Sequence, residues 1–178
     1  NGNFISDTLS DRSVSRINAD PMGGTFGWNV NAGAFSPGPN FVLDDYTVGA
    51  SNVLVTKLVV YAYNRNSTNL ANFATARVMT FSGDNTPAPG NAQLIYGDHD
   101  NNRMMSSAFA ADGNNNAVYR VSNEGALTDE ARRIQRIEIG LGGGVELQAG
   151  ARVWFEWGLK WANNPSGTNH GAVGVIHD

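Results

Sequence analysis

Strict alternation of apolar and polar residues is the feature that most constrains the fold of this chain. Between Ala151 and Trp161, one set of alternate positions carries large apolar residues, namely Val153, Phe155, Trp157, Leu159 and Trp161. The side chains of a β-strand point alternately to opposite faces, so one face of this strand belongs in a core. Trp154 falls on the opposite face, where we expect it to be exposed.

A second stretch, Val53 to Tyr63, is apolar on both faces. One face is predicted to carry Val55, Val59 and Tyr61, and the other Leu54, Leu58 and Val60. A strand that is apolar on both sides is typical of a central position in a sheet that is covered on both sides.

Shorter runs of the same kind, separated by Gly-, Pro- and Asn-rich turns, occur along the rest of the chain. They are Phe4–Leu9, Thr25–Val30, Phe41–Val48, Thr75–Phe81, Gln93–Tyr96, Ala117–Val121, Ile134–Leu141, Val145–Leu147 and Ala172–Ile176. The glycines at 142–144 are interpreted as a turn, and Thr128–Arg133 as a short helical turn. About ten short strands predict an all-β protein, a β-sandwich of jelly-roll type.

The length, the absence of cysteine and the net charge limit the number of domains and the kinds of site and partner. The 178 residues suit a single domain spanning 1–178. There is no cysteine, so neither a disulfide nor a thiolate metal site is available. With 12 basic and 16 acidic residues the net charge is −4, which disfavours nucleic acid and anionic membrane surfaces as partners. No apolar run is long enough to predict a membrane span.

The composition is that of an extracellular β-protein. Charged residues make up only 16% of the chain, while glycine (21 residues), asparagine, serine and threonine are abundant. This balance is typical of bacterial surface proteins. The chain begins at Asn1 without an initiator Met, which we interpret as removal of a signal peptide. We therefore expect an extracellular or cell-surface location.

A candidate calcium site follows the Gln93–Tyr96 strand. Asp98, Asp100 and Asn102 place oxygen-bearing side chains at alternate positions, and Ca²⁺ prefers carboxylate, amide and carbonyl oxygens. The run departs from an EF-hand loop because Arg103 stands where that loop has glycine. The alternative is a polar turn whose aspartates accept backbone N–H bonds.

Asp44 and Asp45 interrupt an otherwise apolar strand. Because neighbouring side chains point to opposite faces, we expect at least one of these carboxylates to face inward. A buried carboxylate needs a partner. That partner is either an arginine such as Arg103 or Arg120, or a metal ion, so Asp44 and Asp45 join the candidate calcium ligands.

The sequence predicts no active site. There is no Cys, no G-x-S-x-G motif and no zinc spacing, and only three histidines are present. Glu138, Glu146 and Glu156 could serve as paired carboxylates, but at least Glu138 and Glu156 alternate with apolar residues like a solvated strand face. We therefore predict a protein that is not an enzyme. Trp154 is the candidate ligand-binding residue, for stacking on a sugar.

Several segments together resemble a known family. The matching stretches are Asn1–Phe4, Leu43–Val48, Val55–Tyr63, Pro89-Gly90, Tyr96–Asp98, Asn102–Met104, Val118–Val121 and Leu147–Gly150 followed by the strand through Trp157. In order and spacing they resemble bacterial secreted β-sandwich proteins often found with a C-terminal PEP-CTERM sorting tail. The resemblance implies a secreted, surface-associated sandwich without a defined catalytic activity. The sequence ends at Asp178 without such a tail.

These observations favour a structural role. We predict a subunit of an extracellular fibre, sheath or surface layer, in which a terminal segment of one copy pairs with a sheet edge of the next. Residues 1–10 and 172–178 are the candidate intersubunit strands, with Phe4, Ile5, Val173 and Val175 as the assembling side chains. Calcium would stabilise the contacts. The alternative is an adhesive or carbohydrate-binding module with a polysaccharide partner.

Overall fold

A computed structural model describes residues 6–9, 12–16, 40–88, 90–121, 128–161 and 170–177. The described strands are β1 (Ser6–Leu9), β2 (Arg12–Arg16), β3 (Val42–Thr47), β4 (Val53–Asn64), β5 (Ala71–Phe81), β6 (Ala92–Asp98), β7 (Met104–Phe109), β8 (Ala117–Val121), β9 (Ile134–Leu147), β10 (Arg152–Trp161) and β11 (His170–His177). The predicted all-β class is confirmed. The sequence reading missed β2 and β7, and the predicted strand Thr25–Val30 lies outside the described residues.

The strands form two four-stranded antiparallel sheets that pack face to face. The first, which we call the front sheet, has the order β3-β10-β5-β6, and the second, the back sheet, has the order β11-β4-β9-β7. A smaller sheet, β1-β2-β8, contains a parallel pair between β2 and β8. The β-sandwich is therefore confirmed, while the jelly-roll connectivity stays a prediction.

The core lies between the front and back sheets. β10 contributes the five apolar residues that its alternation predicts, and Phe155, Trp157 and Leu159 have no exposed surface. The back sheet faces them with side chains such as Leu58 and Ile139, which are equally buried. Burial of these aliphatic and aromatic groups is the main force that holds the two sheets together.

The alternation along β4 is broken by a β-bulge. The ladder with β9 shifts between Val55 and Lys57, so Val55 joins Leu58 and Val60 in the core while Leu54 is 60% exposed. The predicted face assignment of Leu54 and Val55 was wrong, because a bulge reverses the side-chain direction beyond it. The prediction that both faces of this strand are covered holds from Leu58 onward, where Val59 and Tyr63 on the other face are also buried, but not at Leu54.

The glycine run in β9 lies at this same irregularity of the ladder and is not a turn. Val55 and Lys57 pair with Val145 and Gly140, so the stretch from Leu141 to Gly144 lies opposite a single residue of β4. Gly142 and Gly144 have φ of +63° and +101°, which suits glycine. The two strands predicted on either side of the run are therefore one strand.

The predicted helical turn at Thr128–Arg133 was also wrong. Within the described part of the chain this stretch is a non-helical turn leading into β9. The Asp129 carboxylate accepts the Ala131 N–H at 2.9 Å and pairs with Arg132 at 3.0 Å. An aspartate that binds the backbone two residues on stabilises a turn as readily as a helix start. The described residues contain no helix that could cross a bilayer.

Candidate functional site

The first candidate site is the loop between β6 and β7, where Asp98 stands at the end of β6. Its Oδ1 accepts the backbone N–H groups of Asp100 at 2.9 Å and of Asn101 at 2.7 Å. Its Oδ2 accepts the Asn101 side-chain amide and the Arg103 guanidinium. The bonds from Asn101 come first among the causes that hold the pKa of Asp98 well below its usual range. Both carboxylate oxygens therefore already bind donors of their own loop.

Asn102 ties the same loop to the front sheet. Its Oδ1 accepts the Ala74 N–H at 3.0 Å and the Met104 N–H at 3.2 Å, and its Nδ2 donates to the Asn72 carbonyl. Asp100 is exposed. The loop therefore has the arrangement expected of the alternative to a calcium site, namely a polar turn whose side chains bind the backbone.

Asp44 and Asp45 lie far from that loop, because β3 and β6 are the opposite ends of the front sheet. Three strand spacings correspond to about 14 Å. Both carboxylates are exposed, so the expectation that one faces inward was wrong. Asp45 pairs with Arg152 at 2.7 Å, and Asp44 accepts the N–H of Asp45 at 3.0 Å.

The five predicted calcium ligands are thus divided between two edges of the sheet. Nowhere among the described residues do three or more His, Asp or Glu side chains form a group that could hold a metal ion. Calcium binding stays a prediction.

Trp154 is half-buried on the face of β10 that points away from the core. Its indole N–H donates to the Asn85 carbonyl at 3.2 Å, and Phe81 meets the ring edge-on at 5.8 Å between centroids. The Arg152 guanidinium lies 4.8 Å from the ring centroid. Since the polar group of the ring and part of its surface already have partners in the chain, sugar stacking on Trp154 stays a prediction.

Two of the three carboxylates considered for catalysis form ion pairs on strand faces. Glu156 pairs with Arg77 at 3.2 Å and with His99, on which Phe41 stacks at 4.0 Å between centroids. Glu138 pairs with Lys57 and with a neighbouring arginine of its own strand. The Glu156 and Glu138 side chains are only 17% and 19% exposed, so these carboxylates are partly buried in ion pairs and do not lie on a fully solvated face. Glu146, in contrast, is exposed and accepts a hydrogen bond from Asn52.

The two segments predicted to join subunits are described by the structure only in part. Phe4 and Ile5 lie outside the described residues. Val173 and Val175 belong to β11, whose backbone pairs with β4, and Val175 lies opposite Val60. The described part of the N-terminal segment, β1, pairs with β2. Both nominated segments are therefore paired, where described, within their own chain.

The sequence reading missed an exposed apolar side of the sandwich. Leu94 and Ile95 on β6 are 55% and 47% exposed, and Met105 on β7 is 62% exposed. Each sheet ends here, at β6 and at β7. Arg103 links the two, because its N–H donates to Ala74 of β5 and its carbonyl accepts the Gly140 N–H of β9.

Two local irregularities create this surface. The β5–β6 ladder shifts so that Ile95 is unpaired between Leu94 and Tyr96, and the β7–β9 ladder shifts at Met105 in the same way. In a regular strand, neighbouring side chains point to opposite faces, so only one of them is exposed. At a bulge this alternation is broken, and two neighbouring side chains can both be exposed. The adjacent apolar pair Leu94-Ile95, with no charge from 92 to 97, was the available signal.

A scan against protein-family models and comparisons with curated proteins and with solved structures find no match to this chain. The resemblance to the secreted sandwich family stays a prediction from the sequence.

Proposed function

We propose that this chain is a secreted structural subunit that assembles with copies of itself by strand addition at the β6 edge of the front sheet. The observation that carries the proposal is the exposure of Leu94 and Ile95, two large aliphatic side chains, on a strand at the end of its sheet. Proteins usually protect such edges with charge or proline, because an open edge pairs with other chains. From 92 to 97 the chain has neither, and the irregularities at this edge are the bulge at Ile95 and the charge of Asp98 at the end of β6.

Burial of the apolar side chains at this edge would favour association. Burial of an aliphatic side chain contributes about 1.5–3 kcal/mol, so Leu94 and Ile95 together supply a useful part of an interface. An added strand would also satisfy backbone donors and acceptors of β6, and such main-chain bonds provide affinity in strand-addition complexes.

The donor we nominate is the start of the chain, with Phe4 and Ile5 as its apolar side chains. The other nominated segment, 172–178, overlaps β11, which would have to leave β4 before it could pair elsewhere. A contact between two different surfaces of successive copies is heterologous, and where its rotation does not close into a ring it builds a filament. Calcium bound only in the assembled form would stabilise it further.

The test replaces Leu94 and Ile95 together by lysine. Sedimentation velocity and negative-stain electron microscopy of the wild type are expected to show filaments, and the double variant to remain monomeric, because two ammonium groups at the edge oppose pairing. Leu70→Lys is the matched control: Leu70 is 38% exposed and precedes β5 by one residue. It lies roughly 30 Å along the strand from the row that contains Leu94.

The double variant must keep the circular dichroism and unfolding transition of the wild type, so that loss of assembly reports on the edge. A wild type that stays monomeric at high concentration, or a double variant that assembles like the wild type, would overturn the proposal. Repeating the wild-type measurement with a chelator tests the calcium contribution separately, and filaments that persist unchanged would exclude it.

A further inference from the structure

A cavity of about 450 Å³ lies away from the β6 strand, where the loop after β4 meets the turn before β9. Asn66, Ser67 and Thr68 line it from the loop. Phe109 at the end of β7 and Tyr119 of β8 supply aromatic walls, and Arg133 lies among them. This volume falls within the range of small-molecule sites, about 300–1,000 Å³.

Arg133 is the unusual member of this lining. Its guanidinium lies 4.2 Å from the centroid of the Phe109 ring, and its Nε is buried without a hydrogen-bond partner. No ion pair joins Arg133 to a carboxylate within the described residues. The adjacent Arg132, in contrast, pairs with Asp129 at 3.0 Å. The Nε of Arg103 is buried without a partner as well, so Arg133 is distinguished by lining a cavity and by the lack of an ion pair within the described residues.

We infer that this cavity binds a sugar that carries a carboxylate, that is, a uronic acid of an acidic polysaccharide. A guanidinium presents its N–H groups in a planar fork that matches the two oxygens of a carboxylate. The ring of Phe109 holds the guanidinium plane from one side and so limits its rotation.

The other groups of the cavity match the rest of such a ligand. Asn66, Ser67 and Thr68 offer amide and hydroxyl groups for sugar hydroxyls, and Tyr119 offers a ring to the apolar face of a sugar. Glu130 also lines the cavity. Its negative charge disfavours ligands with two charges, such as phosphate, relative to a singly charged carboxylate.

This inference goes beyond strand addition and is independent of it. A filament whose subunits each carry such a cavity would display many copies of a weak site, and the copies would reinforce one another on a polymeric ligand.

Isothermal titration calorimetry with methyl β-D-glucuronide, methyl β-D-glucoside and acetate tests the inference. We expect the glucuronide to bind at least tenfold more tightly than either of the other two, because only it combines the charge with the sugar ring. Equal binding of the glucoside would overturn the role of Arg133, and equal binding of acetate would overturn the assignment to a sugar.

Arg133→Gln is expected to weaken glucuronide binding at least tenfold. Arg65→Gln is the matched control, since Arg65 is exposed, directly precedes Asn66 and is outside the lining. The control should bind like the wild type. If Arg133→Gln unfolds, the Nε–H resonance of Arg133 in wild-type protein provides the second measurement. It should shift with glucuronide and not with glucoside, and an unchanged resonance at saturating glucuronide would contradict the inference.

Discussion

The two ends of the front sheet differ in how they meet solvent. Asp45 of β3 and Leu94 of β6 lie in the same row of the sheet, joined through Trp154 of β10 and Met79 of β5. At the β3 end the exposed side chains are Asp44, Asp45 and Thr47, whereas at the β6 end they include the aliphatic Leu94 and Ile95 beside Gln93. One sheet therefore ends in a charged edge and in an apolar edge.

This difference has a direct consequence for association. A strand that paired with β3 would have to desolvate two neighbouring carboxylates, which is unfavourable unless each finds a partner. A strand that paired with β6 would bury Leu94 and Ile95, which is favourable. Under the proposed strand addition, this difference between the two edges would give the addition of subunits a direction.

The largest expected effect is on stability, and it comes from comparing one glycine at each end of the front sheet. Gly97 of β6 has φ of +88°, and a Cβ there would overlap the carbonyl oxygen of Ala76 on β5. Gly97→Ala is expected to lower the free energy of unfolding by about 3 kcal/mol, since it combines unfavourable backbone geometry with overlap against the neighbouring strand. Urea unfolding measures the change.

Gly49, two residues after β3, is the matched control. A Cβ there meets no atom within 4 Å, so Gly49→Ala should change stability by less than about 1 kcal/mol and can raise it. If the two variants lost the same free energy of unfolding, the close approach of Gly97 to the Ala76 carbonyl would not be the cause of the loss.

Much of the fold could be predicted from the sequence because alternation is a strong signal where strands are regular. The limits of β10 and β8 were predicted closely, and so was the core face of β10. The bulges of β4, β6 and β9 were not predicted, because an extra residue in a strand depends on the partner strand and not on local composition. The glycine run of β9 therefore looked like a turn.

The candidate site was less predictable for a related reason. Asp98 and Asn102 have the spacing of cation ligands, but the same oxygens bind backbone N–H groups equally well, and the sequence does not distinguish these roles. The cavity beside Arg133 collects residues from segments that are distant in the chain. Their proximity follows from sheet order, which alternation does not specify.

An effect of intermediate size is expected on how the free energy of unfolding depends on pH, through Asp98 at the β6 end of the front sheet. The pKa of Asp98 is lowered in the folded state, first by its bonds from Asn101, so the unfolded state binds more protons as the pH falls below about 4. Its contribution to stability is complete above that pH and is lost on acidification. Asp98→Asn should therefore give a shallower fall in the free energy of unfolding between pH 4 and pH 2.

The β3 end supplies the control for this measurement. The carboxylate of Asp44 accepts one hydrogen bond, from the neighbouring amide, and Asp44→Asn tests whether any exposed aspartate gives the same result. If Asp98→Asn retained the full acid dependence of the wild type, the bonds of the loop would not be what stabilises the Asp98 carboxylate.

The smallest expected effect is at the charged edge itself. Asp45 and Arg152 form an ion pair at 2.7 Å, but their side chains are 35% and 44% exposed, so solvent screens the attraction. Asp45→Ala should lower the free energy of unfolding by no more than about 0.5 kcal/mol in chemical denaturation, with little dependence on salt. A carboxylate that adds so little to stability is consistent with a role in keeping β3 unpaired. A loss above about 1.5 kcal/mol would instead make β3 an element that Asp45 holds in place, and the contrast with β6 would then reflect stability and not protection from pairing.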